Sequence, residues 1–339
     1  MIPFAMESFD WLAILKHTSR SFVVGIQALR APLDERVGLS YLLCRLLDTY
    51  EDSTQVDLGV RRAGLILCRD LLARMSAGAE SDELERQIGG WVQINQLQGA
   101  TWHGLDQWER VLLDQGPALW GMIFQFPRED RIAIGRSVGI MADGMLIELE
   151  SQAQGHPRPR SMTQVDRYCF FVAGTVGLLL NHLFGSAIGG TATQELSEPD
   201  AVSFGKLLQL VNITKDFHQD WNEGRCFWPG IEAPSEAAAP TAAHLSRSFD
   251  ELKSLFQKHL KPAEHYLAQI REAGGARSDI YFFCAFPFRM ALLTMELAER
   301  ASDWLENSSV VLKIPRERTE RLMAELTREC AELEGAAAT

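Results

Sequence analysis

Apolar positions along this chain recur at the three-and-four spacing of helices, and no stretch alternates convincingly with the two-residue period of a strand. Leu58, Leu65, Leu67, Leu71 and Leu72 predict a helix over 57–76, and the same spacing predicts helices over 84–99, 106–125, 128–150 and 163–190. Further helices are expected from Glu198 to Trp221 and over 245–273, 277–305 and 317–334. Pro32 and Asp34 mark a turn ahead of another helix that runs to about Ser53. Gly78 to Asp82 reads as a polar break, Gln154 to Met162 as a loop, and the low-complexity stretch 232–243 as a surface loop. Trp91, Trp102, Trp108 and Trp120 are expected as large core or interface residues. With no internal repeat, the pattern predicts an all-α protein.

Two of these helices are interrupted by polar stripes. Leu39, Leu42, Leu43, Leu46 and Leu47 cover most of one helix circumference, yet Tyr41, Arg45, Asp48 and Asp52 follow one another at +4, +3 and +4. Gln209, Asn212, Asp216 and Asp220 repeat the device at +3, +4 and +4, flanked by Leu207, Leu208, Leu210 and Val211. Buried carboxylates are costly unless paired or bound to metal. Carboxylate and amide oxygens from two facing helices suit Mg²⁺, which completes its octahedron with water and substrate phosphates. One acidic pair at this spacing is common on a solvated helix face. Two pairs in apolar helices, each with polar residues in register, favour a metal site.

Composition narrows the chemistry. The 339 residues, 46% hydrophobic and 23% charged, are those of a globular protein with a sizeable core, and the net charge of −12 argues against general nucleic-acid binding. An anionic ligand must therefore be received by a local set of arginines, lysines or metal. Cys44, Cys68, Cys169, Cys226, Cys284 and Cys330 lack CxxC spacing and read as free thiols of a reducing cytoplasm. There is no HExxH, no strand followed by GxGxxG and no GxxxxGK[ST], which disfavours a zinc hydrolase, a Rossmann site and a P-loop. No signal peptide is read in MIPFAMESFDWL. The weakly charged run from Tyr168 to Thr193 approaches the length of a membrane span, but Asn181, His182 and five glycines favour a buried helix. Its small residues Ala173, Gly174 and Gly177 either let another helix approach or leave room for a ligand. Ser19, Arg20 and Ser21 stand ahead of an apolar helix, where they can cap it or receive an anion.

The segments SRSFVVGIQAL, YLLCRLLDTYED, YCFFVAGTVG, NITKDFHQDWNEGRCFWP and FCAFPFRMA resemble, in order and spacing, those of the squalene and phytoene synthases, over about residues 15 to 315. DTYED and EGRCFWP are more similar to the squalene branch. The resemblance implies an all-α, single-domain isoprenoid synthase (class I terpenoid synthase) fold with a central cavity between helices. The domain is expected to fill residues 1–339, with its core at about 10–330 and a frayed tail at 335–339. It implies Mg²⁺ and farnesyl diphosphate, with Asp48 and Asp52 as the first aspartate motif and Asp216 and Asp220 as the second. Tyr41 and Arg45 match residues that bind or act on the diphosphate, and Ser19, Arg20, Ser21 and Phe22 match the family's diphosphate-side motif. Tyr168 matches a tyrosine that assists proton removal or cation stabilisation. Val172, Gly174 and Val176 match the cavity wall, and Phe283, Cys284 and Pro287 the aromatic side that shields cations. Gln209 joins the substrate-binding set. Asn212, Lys215 and Arg225 match residues around the second metal site and the reductant pocket, and LKIPRER, with Lys313 and Arg316, is similar to the basic segment that meets NADPH.

The implied reaction joins two farnesyl diphosphates head to head into presqualene diphosphate and reduces that with NADPH to squalene, a precursor for sterols or hopanoids. Gln219 stands where the squalene branch carries an acid, and Pro315 intrudes in the basic segment. These departures keep open an enzyme that stops at presqualene diphosphate, or one that makes dehydrosqualene or phytoene without reductant. A non-catalytic helical assembly factor is the alternative of another class. The chain lacks the C-terminal anchor of eukaryotic squalene synthases, so a cytoplasmic protein, soluble or peripherally attached to the membrane, is expected.

Overall fold

The structure is a computed structural model and describes residues 9–19, 22–53, 55–88, 104–153, 161–189, 196–222, 226–231, 240–274, 277–301 and 303–337. Among them there is no strand. The chain forms two compact units, Met1–Gln154 and Gly155–Thr339.

The first unit contains α1 (Trp11–Thr18), α2 (Phe22–Ala28), α3 (Leu33–Asp52) and α4 (Leu58–Ser76). The helix α5 covers 81–88 and is followed by α6 (Gln107–Asp114), α7 (Gly116–Phe124) and α8 (Arg128–Ala153). The helix expected over 106–125 is thus two, divided at Gln115 with Pro117 in the first turn of the second. Helix α3 is the hub, lying against α1, α2, α4, α6, α7 and α8. That is why leucines surround it: Leu39, Leu42, Leu43, Leu46 and Leu47 are each 0% exposed. Its last turn leaves carbonyls without helical partners. The buried Arg61, from α4, meets two of them, donating from Nε to the Tyr50 carbonyl at 2.9 Å and from NH2 to the Glu51 carbonyl. A cation there also suits the negative end of the helix dipole. The end of α3 that carries Asp48 and Asp52 is therefore held from outside.

The second unit contains α9 (Met162–Cys169), a π-helical turn (Phe170–Gly174), α10 (Thr175–Ile188), α11 (Glu198–Lys215) and α12 (Phe217–Asn222). It continues with α13 (Ala242–Gly274), α14 (Ser278–Arg300) and α15 (Arg316–Ala337). Helix α11 takes the central place, against α9, the π-turn, α10, α13 and α14. Glycines set how near it comes. A Cβ at Gly177 would lie 2.2 Å from the Ala201 carbonyl oxygen, and one at Gly205 2.2 Å from that of Ala173. These small residues serve helix approach. An aromatic cluster of Phe217, Trp228, Phe249 and Trp304 closes one end, with the Trp228 indole donating to the Ile213 carbonyl at 3.0 Å.

All six cysteines are free, five of them buried and Cys330 half-buried. The segments Met162–Ile188 and Ser278–Arg300 are long and apolar enough to cross a membrane, with 39% and 61% of their most apolar windows buried within the protein. In the first, Leu179, Leu183 and Phe184 are core residues.

Candidate active site

In the first unit the polar stripe of α3 meets the α1–α2 junction. The Tyr41 hydroxyl donates to the Thr18 carbonyl at 3.4 Å, and the Phe22 ring lies 5.8 Å from that of Tyr41. Ser19 is buried, and its hydroxyl accepts from the Phe22 amide at 3.1 Å, so the capping reading of this serine holds. Burial raises the Tyr41 phenol above its ordinary pKa, with the Ser19 hydrogen bond and Arg45 opposing. It stays a neutral hydroxyl that can donate. Arg20 and Ser21 lie outside the described residues.

One turn further along α3, Arg45 sits among acids. Its NH2 donates to Glu109 Oε1 at 2.9 Å, while NH1 stands 3.7 Å from Asp48 Oδ2. Its Nε is buried without a hydrogen-bond partner. Asp48 keeps 31% of its side-chain surface open. Burial nevertheless pushes its carboxyl up to about 7; Arg45 opposes this and the nearby Asp52 charge adds to it. Asp52 is exposed. Tyr41, Arg45, Asp48 and Asp52 thus share one face of this unit's hub, and Ser19 and Phe22 meet that face at its Tyr41 end.

In the second unit, the stretch expected as one helix to Trp221 breaks at Asp216. Helix α11 ends at Lys215, Asp216 is its C-cap with φ −95° and ψ 7°, and α12 starts at Phe217. The hydrogen-bond ladder passes through the break: Asp216 N donates to Asn212 O at 3.0 Å and Asp220 N to Asp216 O at 2.9 Å. The pair therefore keeps its one-turn separation. Asn212 Nδ2 donates to Gln209 Oε1 at 3.4 Å, and the Lys215 ammonium pairs with Asp216. His218, between the two aspartates, contacts the Trp304 carbonyl.

Tyr168 is the penultimate residue of α9, just ahead of the π-turn, buried and stacked on Phe227 with ring centroids 4.7 Å apart. A π-turn inserts one extra residue per turn, a feature frequent at functional sites. Val172 lies within it and Val176 just beyond, both partly exposed. A Cβ at Gly174 would stand 3.2 Å from Val202 Cγ1 and 3.5 Å from Lys206 Cγ, so α11 passes close to it. Phe283 and Cys284 are buried on α14, Phe283 edge-on to Phe184 at 5.5 Å, and Pro287 lies inside the same helix. Lys313 is exposed, and Arg316 donates to Glu320 at 2.7 Å. Arg225 lies outside the described residues.

Three further features have little signal in the pattern. Asp106-x-x-Glu109 announces a capping box, but nothing in it tells that Glu109 reaches Arg45. Asp166, two residues before Tyr168, receives His259 at 2.9 Å, Lys258 at 3.1 Å and Lys206. Burial raises its pKa, but these three hydrogen bonds outweigh that and hold the carboxyl far below the usual range. Tyr266 carries a buried hydroxyl without a partner.

Among the described residues no three His, Cys, Asp or Glu side chains converge as a metal cage. Each aspartate pair offers two hard oxygen donors, and the second has amide oxygens nearby. That set fits Mg²⁺, which takes one or two carboxylates and fills its octahedron from water and phosphate, and it does not fit a thiolate- or imidazole-seeking metal.

Comparison with known proteins gives these pairs a context. The family model for squalene/phytoene synthase matches residues 15–318. The chain is 29% identical to squalene synthase BSS of Botryococcus braunii over 91% of its own length and 62% of the relative's. It is 27% identical to the squalene synthases of Bos taurus and Homo sapiens, in each case over 83% of this chain and 61% of the relative. The chain thus spans about three fifths of the length of these relatives. Among solved structures, TcSQS in complex with the ligand E5700 aligns with a TM-score of 0.68 at 22% identity, covering 96% of this chain and 88% of that one. A dehydrosqualene synthase in complex with a ligand aligns at 0.56 and 18% identity, covering 95% of each chain. The fold is the all-α isoprenoid synthase fold. With its family model matched from residue 15 to residue 318, the chain belongs to the squalene/phytoene synthase family.

Proposed function

We propose that this protein is a prenyltransferase that condenses two farnesyl diphosphates into presqualene diphosphate and then reduces that product with NADPH to squalene. The observation that carries the reading is the α3 stripe, where a guanidinium stands about one turn and a neutral phenol about two turns ahead of Asp48, with Asp52 one turn beyond, on the hub helix of the first unit. A diphosphate needs cationic and hydroxyl donors beside metal-binding oxygens, and this face supplies all three.

In this reading Arg45, Tyr41 and Ser19 hold diphosphate oxygens and keep them in place as the allylic C–O bond breaks. Mg²⁺, held by Asp48 and Asp52 and by Asp216 and Asp220, would neutralise the departing charge. The allylic cation adds to the double bond of the second farnesyl group. Two C–C bonds form a cyclopropane, and one proton and one diphosphate leave. Tyr168 stands for the proton transfer, its ring fixed by Phe227. Val172, Val176 and Phe283 exclude water that would quench the cation. In the second half-reaction the remaining C–O bond breaks, the carbon skeleton rearranges, and a hydride from NADPH ends the sequence. Asn212, Lys215, Arg225, Lys313 and Arg316 are assigned to the reductant side. Names of relatives as squalene synthases support the product assignment, and six free thiols suit a reducing cytoplasm.

A second reading ends at presqualene diphosphate or dehydrosqualene. It is favoured by Pro315 in the basic segment and by Arg316, whose guanidinium is already engaged with Glu320. Product analysis by mass spectrometry after incubation with farnesyl diphosphate and Mg²⁺ separates the two. Squalene that appears only with NADPH supports the first reading, an unchanged product with and without NADPH the second, and no diphosphate release refutes both.

A further inference from the structure

The capping box that starts α6 does more than start a helix. Asp106 Oδ1 accepts from the Trp108 amide at 2.7 Å and the Glu109 amide at 2.9 Å, and Glu109 Oε2 accepts in return from the Asp106 amide at 3.2 Å. This exchange consumes one oxygen of the Glu109 carboxylate and fixes its rotamer. The other oxygen, Oε1, takes the Arg45 NH2 at 2.9 Å. Next to it, Trp108 is stacked on His17 with ring centroids 3.9 Å apart and planes 3° from parallel, which ties α6 to α1.

The Arg45 guanidinium is consequently shared unequally. It is within hydrogen-bond distance of Glu109, but 3.7 Å from Asp48, too far for a hydrogen bond. With its Nε also unpartnered, the group is anchored by one nitrogen and keeps donors unspent. Without Glu109, the nearest carboxylate to Arg45 is Asp48. The guanidinium would close on it as a direct pair and occupy oxygen lone pairs that a divalent cation needs.

We infer that Glu109 is a positioning residue: it holds the Arg45 guanidinium off Asp48, so that Asp48 stays open to a divalent cation and Arg45 stays open to a phosphate oxygen. The inference rests on the reading of Asp48 and Asp52 as a metal and diphosphate site, and extends that site to a side chain 57 positions beyond Asp52 that belongs to a different helix.

The test is calorimetric titration of the full chain with Mg²⁺ in the presence of inorganic pyrophosphate, for wild type, Glu109→Gln, Arg45→Gln and the double variant. Glutamine also serves at this position of a capping box, so the melting temperature of Glu109→Gln reports whether the fold is kept. The expected result is a half-saturating Mg²⁺ concentration raised about 3- to 10-fold in Glu109→Gln, the size of one partly exposed charge-assisted contact. No further rise is expected when the change is made in the Arg45→Gln background, because the two residues act through one contact. Unchanged Mg²⁺ binding in Glu109→Gln, or an equal loss with and without Arg45, overturns the positioning role. If the wild type binds neither Mg²⁺ nor pyrophosphate, the metal reading of Asp48 and Asp52 falls, and this inference falls with it. Wild-type binding beside an unaffected Glu109→Gln removes the inference alone.

Discussion

Replacing Gly177 by alanine is expected to destabilise the second unit, while the same change at Gly185, two turns along the same helix, is expected to stabilise it. At Gly177 the new Cβ would stand 2.2 Å from the Ala201 carbonyl oxygen, 2.7 Å from its carbon and 3.2 Å from the Val202 nitrogen. All three are backbone atoms of α11 and cannot turn aside. Ordinary contact needs about 3.5 Å, so the two helices must separate by roughly 1 Å. Overpacking of this kind costs about 1–3 kcal/mol, offset by about 1 kcal/mol that alanine gains over glycine inside a helix. Because the clash is with backbone, the upper end applies and a net loss of about 1–2 kcal/mol remains. That corresponds to a melting temperature lowered by about 2–8 °C. At Gly185 nothing stands within 4 Å of the new Cβ. Only the propensity gain is left there, a rise of about 2–4 °C. Calorimetry of both variants decides the matter, and turnover of farnesyl diphosphate adds a second readout. Helix α11 carries Gln209 and Asn212 and is capped by Asp216, and a 1 Å displacement of reacting groups can cost about 100-fold in rate. A Gly177→Ala protein as stable as wild type, or a Gly185→Ala protein that loses as much, would refute the account of why α10 and α11 lie so close.

The aspartates allow sharper tests. Asp48→Asn and Asp216→Asn are each expected to abolish presqualene diphosphate formation with the helical circular dichroism spectrum unchanged; unaltered turnover would sink the metal assignment. Since burial holds Asp48 up at about 7, the folded protein binds a proton there that the unfolded chain has lost between its ordinary carboxylate pKa and 7. Stability at this site therefore falls as pH rises through that window, and Asp48→Asn is expected to melt higher than wild type at pH 8. For the same reason the Mg²⁺ needed for half-maximal activity should rise by about tenfold per unit as pH drops below 7 and level off above it; a requirement that is flat between pH 5.5 and 8.5 contradicts the shifted carboxyl. Lys313→Ala is expected to let presqualene diphosphate accumulate in the presence of NADPH, and an equal loss of both half-reactions would remove the segment's reductant role.

What could be read from residues alone follows a physical divide between local and long-range constraints. Helix α3 was legible because a hub helix must be apolar nearly all round, so Tyr41, Arg45, Asp48 and Asp52 stand out against Leu39 to Leu47. The break at Asp216 was not legible, because the i to i−4 ladder continues through it and every residue involved is compatible with a helix. The π-turn at Phe170–Gly174 is likewise invisible to a spacing rule that assumes 3.6 residues per turn. The small residues around it left two readings open, and only the distances from Gly177 to Ala201 and from Gly205 to Ala173 assign them to helix approach.

The same divide explains why the polar partners of the candidate site leave no distinct mark in the sequence. A carboxylate that serves a site looks, in sequence, like one that caps a helix, and Glu109 is both. Asp166 makes the point more strongly. Its partners His259 and Lys206 come from α13 and α11, and no local pattern links them to α9. Yet they hold a charged carboxylate two residues from Tyr168, beside the point where the helix leaves α-geometry. A half-buried carboxylate held by three donors, two of them lysines, resists displacement, because moving it leaves a charge without its partners. The π-turn is thus flanked by this anchored carboxylate on one side and the tight α11 contact at Gly174 and Gly177 on the other. An irregular turn persists only where its surroundings over-determine it, and here both constraints come from α11 and α13, far away in sequence.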